Sequence, residues 1–242
     1  MFALQRILQS RKTLCFMDLE GTQFTHEMIA IGAIKVDIRK DGSVKKIHKG
    51  YYSLVRAKNR IGKVVTDLTG ITENDLKSKG VPFRVAIENL KKYMGRAFSS
   101  CLFVTFGNHD FRIVAQSLAH NLDAKKEDVE CIIKHQFDFA DFLNEYIKDE
   151  NNNNYSLANM LKVFNIDFEG TQHDALADTY NLVRIYDAFL KNKEIVKNEY
   201  RKRLGMYRHL PEPIHLAIEK LSRQENVTAE EFEKFVEQSL EW

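Results

Sequence analysis

The sequence predicts a three-layer α/β sandwich, built on a mixed sheet that opens as an antiparallel meander of three strands and ends in a helical C-terminal extension. Three observations lead there. Short apolar, β-rich runs recur early, at Thr13–Met17 (TLCFM), Met28–Val36 (MIAIGAIKV) and within Val44–Val55. The second and third are joined by Lys40-Asp41-Gly42-Ser43, and Asp-Gly between such runs is a strong hairpin signal. Beyond that point apolar residues fall at helical spacing between further strands, the alternation that generates parallel crossovers.

Each later element has its own signal. Leu68–Thr72 (LTGIT) leads into Thr72-Glu73-Asn74-Asp75, where an acidic residue three positions after a threonine marks a helix entry. Pro82 opens a helix whose Phe83, Ile87, Leu90 and Met94 share a face. Cys101–Phe106 (CLFVTF) reads as a buried strand that runs through Gly107, with Asn108 as cap, into a helix over about Phe111–Ala119. A short strand is expected from Cys131, followed by a helix near Phe139–Ile147. Asn151–Asn154 is an exposed loop, Ser156 caps the next helix, and HDALADTYNLVRIYDAFL from His173 onward is a long amphipathic helix. After Lys191 the composition changes. Residues 191–208 are basic, residues 212–241 carry eight Glu against Lys220, Arg223 and Lys234, and PEPIHLAIEKLSR and TAEEFEKFVEQSLEW have helical patterning. A division into a domain over 1–190 and an extension over 191–242 follows.

Composition bounds the function classes. The chain has 242 residues, 44% of them hydrophobic and 29% charged, enough for one cored domain with an appendage. A net charge of +2 neither demands nor excludes a nucleic-acid partner, because a local basic strip suffices for phosphate contacts. Cys15, Cys101 and Cys131 are widely spaced with no CxxC pair, which argues against a zinc knuckle or a disulfide framework and points to a reducing compartment. MFALQRILQSRK makes a poor signal-peptide core and no apolar run approaches membrane-spanning length, so the expected location is cytoplasmic, without a membrane partner.

The chemistry-bearing residues sit in three segments. Asp18 and Glu20 are two apart at a strand end, so they share a face, and two adjacent carboxylates repel unless a cation lies between them. Hard oxygen donors of this kind suit Mg2+ or Mn2+. Exposed turn carboxylates give the same short pattern. Asp110 follows the second buried strand in VTFGNHD, where it is either a site residue or simply an acid in the first turn of a helix. His173 and Asp178 are five apart, a gap that does not share a helix face. They converge only if His173 belongs to the entry loop and Asp178 to the first turns. The plainer alternative is a capping Asp174 with a solvated His173 and a surface Asp178. Delivery of carboxylates from three separate strand ends or helix starts is what favours an assembled site.

FMDLEGT, FGNHDFRIV and HDALADT, in this order, resemble the three motifs of the DEDDh exonucleases, the histidine branch of the DEDD superfamily. LTGIT and SLANMLKVFNI resemble the segments that separate them, and the resemblance covers about residues 13–190. It implies an RNase H-like fold and two Mg2+ or Mn2+ ions held by Asp18, Glu20, Asp110 and Asp178, with Asp18 bridging. It further implies His173 as general base and release of nucleoside 5′-monophosphates from a free 3′ end of DNA or RNA. By the same resemblance backbone groups at Glu20, Gly21 and Thr22 and side chains near Leu68, Thr69 and Ile71 would hold the terminal nucleotide, with Phe106 and Asn108 facing the next one, although Phe106 ends an apolar strand and fits a core position as well. Gly21 is a departure, since many relatives carry a β-branched or polar residue there. Two other functions compete. DLEGT also resembles the DxDGT of haloacid-dehalogenase phosphatases, although Glu20 and His173 fit that pattern poorly and Asp110 is left idle. A non-catalytic nucleic-acid-binding domain on the same fold is the other. Residues 191–242 would pack on the domain, lengthen a nucleic-acid track, or meet a protein partner or a second copy.

Overall fold

Thr13–Gly21 forms the central strand β1, and the alternation of its side chains separates the two cores of the molecule. Leu14 and Phe16 point into one apolar layer, while Cys15, Met17 and Leu19 point into the other. The computed structural model describes residues 2–207 and 209–240. Arg208 of the basic stretch and Glu241–Trp242 of the terminal amphipathic segment therefore lie outside the described residues.

A short helix α1 (Phe2–Leu8) precedes β1. β2 (Met28–Ile38) pairs antiparallel with β1, Asp18 lying opposite Gly32 and Glu20 opposite Ala30. The Asp41-Gly42 turn closes as expected, with Arg39 N–H donating to the Ser43 carbonyl and Gly42 at φ +86°. The third strand of the meander is broken in two, β3 (Val44–Ile47) and β4 (Tyr51–Arg56), which pair in succession with the same edge of β2. Gly50, in the interruption at His48–Gly50, packs near Leu176, since a Cβ there would lie 2.6 Å from Leu176 Cδ1.

Two short helices follow, α2 (Lys63–Thr69) and α3 (Glu73–Lys79). The entry to α3 is a full capping box, since Thr72 accepts from Asp75 N–H while the Asp75 carboxylate accepts from Thr72 N–H. A two-residue strand β5 (Val81–Pro82) precedes α4 (Phe83–Met94), and a 3-10 turn over Gly95–Ala97 leads to β6 (Leu102–Thr105). Helix α5 (His109–His120) starts two residues earlier than its apolar spacing suggests. The segment around Cys131 is a correction. It is helix α6 (Lys126–Lys134), and the strand β7 (Gln136–Asp138) begins only afterwards. Asp128 is buried on α6 because Lys91 of α4 donates to it at 2.6 Å, a tertiary pair that no local pattern reveals. Then come α7 (Phe139–Asn144), α8 (Leu157–Val163) capped by Ser156, and α9 (Ala175–Lys191).

The sheet order is β5-β4-β2-β1-β6-β7, with β3 beside β2. β6 runs parallel to β1 and to β7, so the antiparallel start and parallel continuation are both present. Helices α1, α7, α8 and α9 cover one face, and α4, α5 and α6 the other. Beyond α9, α10 (Lys193–Leu204) buries Val196 against the first core, and α11 (Glu212–Ser222) and α12 (Ala229–Leu240) follow. No helix among the described residues is long and apolar enough to cross a membrane.

Gly32 governs how closely α9 meets the sheet. A Cβ there would lie 2.1 Å from the Ala175 carbonyl oxygen, a backbone atom that cannot swing aside. Gly32→Ala is therefore expected to destabilise the protein by about 3 kcal/mol, the upper range for overpacking, and to push the start of α9 away from β1. Urea unfolding measures the first effect. Wild-type stability in this variant would mean that the helix is not seated on Gly32.

Candidate active site

Asp18 and Glu20 continue the parity of Leu14 and Phe16, so they emerge on the face that α9 covers. Asp178 lies in the first turn of α9 and is buried, and it meets them there. Asp110, in the first turn of α5, is buried as well and accepts a 2.8 Å hydrogen bond from the Leu19 backbone N–H, the peptide between the two β1 acids. Three segments thus bring four carboxylates to one cleft of about 320 Å3, whose lining includes Asp18, Glu20, Asp110, His173 and Asp178.

His173 occupies the entry loop and Asp178 the helix, the only placement that lets residues five apart converge. His173 sits at φ +64°, a left-handed conformation that costs a non-glycine residue on the order of 1–2 kcal/mol. The turn is held by its own backbone N–H, which donates to Asp178 Oδ2 at 2.9 Å. Asp174 caps α9 by accepting from Leu176 and Ala177 N–H. The His173 ring stays exposed, and one ligand atom each from Glu20, His173 and Asp178 lie within 4.8 Å of one another.

The electrostatics are those of carboxylates buried close together. Burial, with Asp110, Asp178 and Glu20 nearby, pushes the Asp18 carboxyl well above its ordinary value. Burial and the charges of Asp178 and Asp110 raise Glu20 to about 8. Burial raises Asp110 to about 7 against the opposing Leu19 hydrogen bond, and it raises Asp178 to about 6 against that of His173. A divalent cation removes this repulsion, and the all-oxygen donor set matches Mg2+ or Mn2+.

A stability prediction follows. Carboxylates whose folded values are raised bind more protons folded than unfolded, so stability falls as pH rises from the unfolded value near 4 toward 8. In EDTA the Tm is expected to be lower at about pH 8 than at about pH 5.5, by roughly 4–8 °C for a net loss of about 2 kcal/mol after solvent screening. Mn2+ should raise the Tm more at the higher pH. Thermal melts under the four conditions check this, and a Tm indifferent to Mn2+ at high pH would contradict it.

Of the other anticipated nucleotide contacts, Phe106 is among the lining residues of the cleft and also packs on the first core. Gly21 ends β1 at an irregularity in its pairing with β2. Thr22 is buried and its hydroxyl accepts from Glu27 N–H, while Ile71 is buried in a small core with Leu76. Leu68 is exposed on α2, and the Thr69 hydroxyl donates to the Val65 carbonyl. Asn108 takes the N-cap position of α5 without a side-chain capping bond, which corrects its expected capping role. Cleft residues that the motifs did not single out are His109, Ser156, Leu157, Ala158, Phe168 and Gln172. His109 lay inside GNHD, Gln172 beside His173, and Ser156 in the SLANML stretch, so position next to a motif was the available signal. The His109 ring meets His26 edge-on at 5.1 Å, and burial lowers its pKa.

Residues 15–186 match the model of the family RNase_T, described as an exonuclease. No curated protein matches the chain at the level of sequence. Among solved structures, the chain is similar to the nuclease domain of 3′hExo, a DEDDh family member bound to rAMP, with 18% identity and a TM-score of 0.63 over 76% of this chain and 94% of that one. It is similar to the cell-death related nuclease 4 (CRN-4), at 19% identity and TM-score 0.59 over 74% of this chain and 64% of that one. It is also similar to E. coli exonuclease I in a zinc-bound complex with single-stranded DNA, at 16% identity and TM-score 0.60, covering 77% of this chain but 42% of that larger one. These likenesses place the fold among RNase H-like nucleases. The phosphatase alternative loses its ground, because the family match covers all three motifs and the buried Asp110, idle in that scheme, is tied to the peptide between Asp18 and Glu20.

Proposed function

The chain belongs to the exonuclease family RNase_T, and on that premise we propose that it is a two-metal 3′→5′ exonuclease of the DEDDh kind, releasing nucleoside 5′-monophosphates from single-stranded DNA or RNA. The observation that carries this reading is the convergence of Asp18, Glu20, Asp110 and Asp178 in one cleft with their pKa values all raised. Such a cluster is costly unless cations neutralise it.

Asp18, Glu20, Asp110 and Asp178 would hold the metals. Divalent ions supply a lowered pKa for the attacking water and charge stabilisation of the leaving 3′ oxygen. The protein's own contributions are legible in the cleft. Asp110 fixes the β1 backbone between the two paired acids through Leu19 N–H. Asp178 restrains the His173 turn, so one side chain positions both a carboxylate and the imidazole. A ring nitrogen of His173 takes the proton of the attacking water, and its exposure lets that proton leave to solvent. Phe106 offers a ring face at the cleft wall on which a base can stack.

Residues 191–242 are read as a helical extension anchored to the domain by Val196. The test of the function is digestion of matched 5′-labelled DNA and RNA oligonucleotides, single- and double-stranded, with Mg2+ or Mn2+. A ladder shortening one nucleotide at a time from the 3′ end is expected, with a small phosphomonoester left intact. Tight strand binding with no cleavage in any metal would favour a non-catalytic binding domain.

A further inference from the structure

A second pocket lies at the opposite end of β1 from the carboxylates. It is about 390 Å3 in volume and is lined by Ser10, Arg11, Lys12, Thr13, Ser100 and His135, together with Gln9. Seven residues of strand separate Thr13 from Glu20, roughly 23 Å at about 3.3 Å per residue, so it is distinct from the cleft.

Its chemistry is one-sided. Arg11 and Lys12 bring two fixed positive charges, Ser10 and Ser100 bring hydroxyls, and no carboxylate is among the lining residues. The Thr13 hydroxyl is already committed to Asp37 Oδ1 outside that lining. Arg11 Nη1 donates to Gln9 Oε1 at 3.1 Å, which leaves the rest of the guanidinium fork available. Arg11 Nε is the one buried side-chain nitrogen or oxygen without a hydrogen-bond partner among the described residues. Arg11 lines the cavity, and a buried guanidinium N–H without an acceptor is uncommon in native proteins, where buried donors are almost always satisfied. The positive charge is also felt locally, since burial and the neighbouring Arg11 and Lys134 lower the His135 pKa.

We propose that this pocket binds a phosphate group, with the Arg11 guanidinium as its principal donor and Lys12, His135, Ser10 and Ser100 around it. A phosphate monoester carries about −1.5 to −2 charge at neutral pH, which matches two fixed cations. A guanidinium fork presents paired N–H donors to two phosphate oxygens, which an ammonium cannot do. A backbone phosphodiester presents two oxygens to the same fork with a single negative charge, so a nucleic-acid strand shares the geometry and a free phosphate adds the charge match.

The test is an NMR titration of the full chain in EDTA, following the Arg11 Nε–H and His135 ring resonances. The probes are inorganic phosphate, a short single-stranded oligonucleotide and acetate. Saturable shifts with inorganic phosphate alone identify a free-phosphate site. Shifts that the oligonucleotide also produces identify a strand contact. Acetate, a monoanion, should bind at least about tenfold more weakly. Arg11→Gln should weaken phosphate binding by about tenfold or more, and Lys12→Gln, at an exposed position, should weaken it less. Neither change should alter the metal-dependent Tm increment. The proposal is overturned by the absence of saturable shifts with both phosphate probes, or by equal phosphate binding in Arg11→Gln.

Discussion

Asp18→Asn is expected to abolish strand cleavage, by at least about 10³-fold, while making the metal-free protein more stable. Loss of activity follows from removing the carboxylate that faces all the others, because charge stabilisation at a reacting phosphate is commonly the largest catalytic contribution. The gain in stability follows from the same position. Asp18 is raised by burial first, then by Asp110, Asp178 and Glu20, so an uncharged isostere relieves repulsion on every side. The variant should keep a smaller fall in Tm between about pH 5.5 and about pH 8, carried by Glu20, Asp110 and Asp178, and lose much of the Mn2+ response. Activity assays and melts on one preparation read both effects. An inactive variant that is also less stable would mean that Asp18 serves the fold rather than the site.

His173→Ala has the second largest expected effect, a loss of about 10²–10⁴-fold in turnover, the usual worth of a positioned general base. It should leave the metal response of the Tm largely in place, because the four carboxylates remain. Gly is an informative control at this position. His173 holds φ +64°, and its link to Asp178 runs through the backbone N–H, which any residue except proline keeps. His173→Gly should therefore relieve backbone strain, melt slightly higher than His173→Ala, and be just as inactive. Activity returning with added imidazole in either variant would place the missing function in the ring. Equal activity of wild type and His173→Ala would remove the histidine from the mechanism.

These two residues were legible in different degrees. Asp18 and Glu20 could be placed from strand alternation alone, and the structure puts them on the same face as Leu14 and Phe16. Asp174 as a cap and Asp178 as a site residue were alternatives in the sequence, yet the two coexist, since Asp174 bonds the helix start while Asp178 turns inward. Asp110 needed the family pattern, because an acid in the first turn of a helix is ordinary and its bond to Leu19 N–H spans 91 residues. Thr72 and Ser156 announced their helices through local capping chemistry, which is why they were readable.

What stayed hidden depends on contacts between distant segments. Helix α6 is stabilised by the Lys91–Asp128 pair and by burial of Val129 and Ile132, none of which distinguishes it locally from a strand at Cys131. Gly50, in the break between β3 and β4, lies near Leu176 of α9. Gly32 looks like an interruption in a β run, and the Ala175 carbonyl oxygen, which would lie 2.1 Å from a Cβ there, explains it. The Thr22 hydroxyl accepts from the Glu27 backbone N–H across the turn, a contact that no local pattern announces.

The most direct test of the central claim is the identity of the first product from a strand labelled in its 3′-terminal nucleotide. In Mn2+, the wild-type protein should release that label first as a nucleoside 5′-monophosphate, before any internal fragment forms, and Asp18→Asn should release none. Label appearing first in a longer fragment, as free phosphate, or at an undiminished rate in Asp18→Asn would contradict a 3′→5′ exonuclease built on these carboxylates.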